Sequence, residues 1–128
     1  MERILLYNVS DCADIIKAAS NMRISCGLVR DSDADMTIGE LAKSVPIQHL
    51  NDDGAIGATD KGTEKESLLI FCDVTEKHMD KILFEIRRRG IKVTFKAVLT
   101  PTNSKWNIRR LLMEMRREQL EYMRMNMK

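Results

Sequence analysis

The residues with the most distinctive chemistry lie between positions 96 and 106. Thr100, Thr102, Asn103 and Ser104 carry hydroxyl and amide groups directly behind an apolar, strand-like segment. Such a loop, at the carboxyl end of a strand and ahead of a helix, is where open parallel sheets bind ligands and where free N–H groups attract anions. The candidate ligand-binding residues are therefore Lys96, Thr100, Pro101, Thr102, Asn103 and Trp106.

The same residues also have a purely structural interpretation. Pro101 biases Thr100 away from helix, Asn103 can bond its own backbone, and Trp106 can pack on the helix that follows. Lys96 interrupts the apolar segment 93–99. It could serve as a base or Schiff-base amine, or it could protect an edge strand from pairing. Because no partner base or paired carboxylate is evident, the sequence favours a non-enzymatic protein and predicts no catalytic residue.

Cysteine and histidine spacing gives no metal or nucleophile motif. Cys72 and His78 could form a nucleophile and base, or join Cys26 and His49 as metal ligands, but neither spacing is a recognised one. Three cysteines are an odd number, which favours reduced thiols in a cytoplasm over a disulfide framework. No apolar run approaches the length of a membrane span. We therefore expect a cytoplasmic protein with no cofactor, metal or membrane contact.

Charge is distributed unevenly along the chain. Residues 1–66 hold 7 Lys/Arg and 12 Asp/Glu, whereas residues 67–128 hold 14 and 7. This asymmetry indicates a nucleic-acid face on the second half, or electrostatic pairing between halves or between chains. Glutamates alternate with arginines on the last predicted helix, and aromatic residues are only 5% of the chain, so RNA binding is the weaker alternative.

Two copies of a strand-helix-strand-helix unit account for the pattern of apolar residues and caps. The predicted repeats are 1–44 and 67–128, joined by a connector at 45–66 within one domain. Met36-Thr37-Ile38 corresponds to Trp106-Asn107-Ile108: a large apolar residue precedes a polar cap, and a leucine follows four positions after the cap. That spacing is a hydrophobic staple, and Thr37 with Glu40 also forms a capping box.

The predicted fold is α/β, with a four-stranded, mainly parallel sheet and helices packed on it. The predicted strands begin near residues 4, 24, 68 and 91, and a long helix closes the chain from about residue 107. A ferredoxin-like α+β arrangement is the alternative, and it would turn the predicted helix at 37–44 into a connection.

One segment resembles a known family. Residues 96–103 read Lys-Ala-Val-Leu-Thr-Pro-Thr-Asn, followed by Trp106 and a helix that contains Leu111 and Leu112. From residue 68 to about 122 the chain is similar to a bacterial domain of unknown function, family 3783. The resemblance implies a small α/β domain from a bacterial cytoplasm and supplies no catalytic residue.

The end of the last helix is longer than a four-stranded domain needs. At 1.5 Å per residue a helix over 107–127 is about 30 Å long, against ~17–20 Å for a typical strand. Apolar residues would then overhang the sheet, so we take as interface candidates Tyr122, Met123, Met125 and Met127. The predicted function is an interaction or regulatory module that forms a homodimer or binds a protein partner; the alternatives are a small-ligand or anion-binding domain and an RNA-binding accessory protein.

Overall fold

The fold is described from a computed structural model, over residues 2–10, 12–30, 35–44 and 66–126. The elements in chain order are β1 (Arg3–Tyr7), α1 (Cys12–Ser20), β2 (Ser25–Val29), α2 (Ile38–Ser44), β3 (Leu68–Cys72), α3 (Glu76–Arg89), β4 (Phe95–Val98), a 3-10 turn (Asn103–Lys105) and α4 (Ile108–Asn126). The predicted connector lies outside the described residues except for Glu66.

The four strands form one mixed sheet in the order β2-β1-β3-β4. The two outer pairs, β1 with β2 and β3 with β4, are parallel, whereas the central pair of β1 and β3 is antiparallel. The α/β class is therefore confirmed. Because residues 38–44 are helical, the ferredoxin-like alternative does not describe this chain.

Helices cover both faces of the sheet and bury alternate strand residues. On the first face, α1 and α3 pack over a cluster that includes Ile4, Leu6, Ile15, Leu69, Phe71 and Ile82. On the second face, α2 and α4 pack over a cluster that includes Leu5, Ile38, Leu41, Ile70, Ile108 and Leu111. Alternate residues of β1 and β3 thus belong to two separate cores, one on each face of the sheet. The molecule therefore has three layers.

The two units have the same strand register. Arg3 pairs with Ser25 in the first unit, and Leu68 pairs with Phe95 in the second. The central antiparallel ladder joins equivalent positions of the two units at its midpoint, where Leu5 lies opposite Ile70. An isolated bridge between Thr37 and Asn107 also joins equivalent positions of the two units, just before α2 and α4 begin. These pairings support the duplication inferred from the sequence, which stays a hypothesis.

Side-chain caps begin the helices where the sequence predicts them. The amide of Glu40 donates to the Thr37 hydroxyl at 3.2 Å, and the amide of Thr37 donates to the Glu40 carboxylate at 3.0 Å, so the capping box is confirmed. Thr75 accepts from the amide of His78 at 3.2 Å, and Asn107 accepts from the amide of Arg110 at 2.8 Å. These bonds satisfy donors that the first turn leaves unpaired.

The last strand is shorter than the pattern of apolar residues predicts. The predicted strand begins near residue 91, but β4 covers only 95–98. The amide of Ile91 donates back to Ile86 to close α3, and the amide of Thr94 donates to the hydroxyl of Ser67. Residues 91–94 therefore belong to the end of α3 and to a turn. The ladder between β3 and β4 begins only at Phe95.

Candidate functional site

The loop that follows β4 is held together by Asn103. Its carboxamide oxygen accepts from the amide of Thr100 at 2.9 Å, and its Nδ2 donates to the carbonyl of Val98 at 2.9 Å. Its own amide donates to the Thr100 hydroxyl at 3.1 Å. Asn103 is buried, so these bonds satisfy polar groups that water does not reach. The side chain also covers one carbonyl of the edge strand β4.

Four of the six ligand-binding candidates line one groove. Lys96, Thr100, Asn103 and Trp106 surround a cavity of about 330 Å³ between β4 and α4, together with Leu111 and Glu114. Pro101 and Thr102 are exposed and lie outside this lining. Lys96 is exposed on the edge strand, where a lysine discourages pairing with another sheet.

Trp106 joins the two units. Its carbonyl accepts from the amide of Ile38 at 2.7 Å, and its half-buried ring packs against the second core. The guanidinium of Arg110 lies 5.0 Å from the ring centroid, within the range of a cation–π contact. The ring is only half-buried, and Arg110 rather than a core residue covers one of its faces.

Cys72 and His78 are not arranged as a nucleophile and base. Cys72 is buried, and burial raises the pKa of its thiol to about 12, which keeps it protonated and unreactive. Burial likewise raises the pKa of Cys26 to about 12. The Nδ1 of His78 lies 2.8 Å from the carboxylate of Glu2. His49 lies outside the described residues, and among the described ones no three His, Cys, Asp or Glu side chains are grouped to hold a metal.

Ion pairs between the halves follow the charge asymmetry of the sequence. Arg89 pairs with Asp14 at 3.6 Å, Arg109 pairs with Asp35, and Arg116 pairs with Glu66 at 2.6 Å. In each of these contacts the acid comes from residues 2–66 and the base from the second half. Some of the opposite charges of the two halves therefore form ion pairs with each other within the chain.

The end of α4 carries exposed apolar side chains. Tyr122 is 67% exposed, Leu120 63% and Met123 53%. Tyr122 lies seven residues after Met115 and eleven after Leu111, so it continues the stripe of α4 that packs on the sheet. Met127 lies outside the described residues, and the structure describes only the backbone of Met125.

A second, wider cleft lies at the ends of β3 and β4, where the sequence indicated no site. It measures about 680 Å³, and its lining includes Arg3, Lys43, Asp73, Leu99 and Ser104. Only Leu99 and Ser104 belong to the loop that the sequence singled out. The remaining residues come from the first unit and from the end of β3, so no linear motif could have grouped them.

No described helix combines the length and apolar content needed to cross a membrane. Searches of curated proteins and of solved structures gave no match. Residues 67–123 match a family described as a domain of unknown function (DUF3783). The match begins one residue before β3 and extends through most of α4, and it does not reach residues 1–66. Over these residues the second unit is therefore similar to the DUF3783 family.

Proposed function

We propose that the protein is a non-enzymatic interaction module that self-associates through the end of α4. The observation that carries this proposal is Tyr122, which lies on the sheet-facing stripe of the helix and is two-thirds exposed. An amphipathic helix buries such a stripe against its own domain or against a partner. We expect a partner to cover this exposed part of the stripe.

A second copy of the chain fits this surface. Leu112 and Met115 pack on the sheet, and Gln119 and Tyr122 continue their alternating three- and four-residue spacing as an exposed helix-pairing seam. In an antiparallel pair centred on Gln119, Met123 of one copy lies opposite Met115 of the other. Tyr122 then lies opposite Arg116, where a cation–π contact can form. The surface is thus complementary to itself, as a two-fold interface requires.

The two alternative functions have less support. The polar side-chain atoms of Asn103 are engaged within its own loop and are therefore not available to a small ligand in the 330 Å³ groove. For RNA binding, Arg89, Arg109 and Arg116 already pair with carboxylates of the first half. Both observations favour the interaction module.

Light scattering of the full chain tests the proposal. We expect a mass of about twice 14.7 kDa at tens of micromolar, the range of a moderate interface. The variant Tyr122→Glu should be monomeric, because it places charge in the seam. The matched control Leu120→Glu alters an exposed apolar residue on the opposite side of the helix and should remain dimeric.

Three outcomes would contradict the proposal. The first is a monomeric full chain at these concentrations. The second is a dimer that survives the seam variant but not the control variant, which would move the interface to the other side of α4. The third is unchanged dimerisation of a chain ending at Gln119, which would move the interface away from this helix altogether.

A further inference from the structure

The wide cleft lies where the chain leaves neighbouring parallel strands in opposite directions. β3 leads to α3, which packs on the first face of the sheet, and β4 leads to α4, which packs on the second face. The two connections therefore diverge above the ends of β3 and β4. In open α/β sheets such a divergence opens a crevice at the carboxyl ends of the strands, and ligands bind there.

The first unit supplies the opposite wall of this cleft. Helix α2 contributes Gly39 and Lys43, while Cys72 and Asp73 end β3 and Leu99 follows β4. A Cβ atom on Gly39 would meet the carbonyl oxygen of Ser104 at 3.1 Å, so glycine lets α2 approach the 3-10 turn closely. The resulting volume of about 680 Å³ falls within the usual range of small-molecule sites.

Unpaired side-chain charges of opposite sign line the cleft. In the described part of the chain, the side chains of Lys43 on α2 and Asp73 after β3 have no hydrogen bond or ion pair. By contrast, Glu40 belongs to the capping box of α2. Arg3 donates through one Nη to the carbonyl of Ala42, which leaves further guanidinium N–H groups available. The lining of the cleft thus offers both cationic groups and a carboxylate.

We propose that this cleft binds a small zwitterion, of which an α-amino acid with an apolar side chain is the simplest. Its carboxylate pairs with Lys43 and Arg3, its ammonium group pairs with Asp73, and its side chain contacts Leu99 and Ala42. A simple anion would be repelled by Asp73 and Glu40, and a simple cation by Arg3 and Lys43. A ligand with both charges is the class that matches both walls.

Titration of the full, isotopically labelled chain by NMR tests this inference. The standard amino acids are added one at a time, up to about 10 mM so that even weak binding is detected. We expect leucine or a similar amino acid to shift the amide signals of Gly39 and Ser104. N-acetyl-leucine lacks the ammonium group and leucinamide lacks the carboxylate, so each should bind about tenfold or more weakly.

Two conservative variants locate the contacts. Lys43→Gln and Asp73→Asn should each weaken binding about tenfold, the usual effect of removing a charged hydrogen bond. Asparagine tolerates the left-handed backbone at this position, because Asn8 after β1 adopts the same φ of 58° as Asp73. Lys96→Gln on the edge strand is the control and should leave binding unchanged.

The outcomes separate this site from self-association, which light scattering measures independently. The inference is overturned if no amino acid shifts the Gly39 or Ser104 signals. It is also overturned if both variants bind as the original chain does. Equal binding of N-acetyl-leucine and leucine would show a site for carboxylates alone, and that too would contradict the zwitterion assignment.

Discussion

The two units share a scaffold but differ in what is built on it. Their strands have the same register, and both α1 and α3 end with an amide that returns to a carbonyl five residues back, from Ile24 to Ala19 and from Ile91 to Ile86. The helices differ in length: α1 has 9 residues and α3 has 14, while α2 has 7 and α4 has 19. Strand pairing therefore constrains the strands that the two units share, whereas the lengths of their helices differ.

Backbone strain is distributed unequally between the units. After α1, Arg23 adopts a left-handed conformation with φ of 61°, and after α3, Gly90 adopts φ of 68°. Glycine reaches this region at no steric cost, whereas a side chain with a Cβ is strained there. The helix end of the second unit is thus unstrained, whereas the helix end of the first unit is strained at Arg23.

Replacing the two central residues gives the largest expected effect. Leu5 and Ile70 are fully buried and lie opposite each other in the central ladder. Leu5→Ala and Ile70→Ala should each cost about 2–5 kcal/mol of the free energy of unfolding, measured in denaturant. Val98→Ala on the exposed edge should cost about 0.5 kcal/mol or less. Two separate transitions, or losses that differ severalfold between the pair, would show that the units do not share one cooperative core.

The paired staple residues should give a smaller and unequal effect. Trp106→Ala should cost about 2–3 kcal/mol, somewhat less than a fully buried aromatic, because the ring is half-buried and covered by Arg110. Met36→Ala should cost about 1 kcal/mol, since Met36 is half-buried and smaller. Trp106→Phe should recover most of the loss. If the two alanine variants melt alike, Trp106 contributes no more than its counterpart.

Exchanging the residue types at the two helix ends should move stability in opposite directions. Arg23→Gly should stabilise the chain by up to about 1 kcal/mol, because it removes a Cβ from a left-handed position. Gly90→Ala should destabilise it by about 1 kcal/mol or more for the converse reason. Arg23→Ala retains the Cβ and is the control for loss of the charge. A stabilising Arg23→Ala would mean that charge, and not strain, limits this helix end.

Local signals in the sequence predict most of the scaffold. Thr37, Thr75 and Asn107 are recognisable as caps because capping depends on residues only three positions apart. The antiparallel central pairing was not predicted, because it joins β1 to β3 across more than 60 residues. Crossover rules govern the strands within each unit and say nothing of how two units meet.

The sites divide in the same way. The groove beside Thr100 and Asn103 lies within one stretch of chain, so residue types and spacing could identify it. The wide cleft needs Arg3 and Lys43 from one unit and Asp73 from the other. The pairing of the units places these residues together, and each of them alone looks like an ordinary surface charge.

The smallest expected effect concerns a contact that only one unit makes. Glu2 accepts from the amide of Thr75 at 2.9 Å and lies 2.8 Å from the His78 ring, so the start of β1 is tied to the start of α3. The corresponding position in the second unit, Ser67, bonds instead to Thr94 at the neighbouring strand. This contact contributes to the difference between the units, and it depends on pH.

The pKa of Glu2 is lowered from its ordinary value of 4.5, first by the Thr75 amide and then by the His78 side chain. A carboxylate with a lowered pKa stabilises the fold above the unfolded value, and that contribution is lost as the pH falls through the folded value. The melting temperature should therefore fall below pH 4.5 more steeply in the original chain than in Glu2→Gln, while the exposed control Glu118→Gln should follow the original chain. Parallel curves for the original chain and Glu2→Gln would show that the tie between β1 and α3 does not depend on the charge of Glu2, and the asymmetry between the units would then lie in their helices alone.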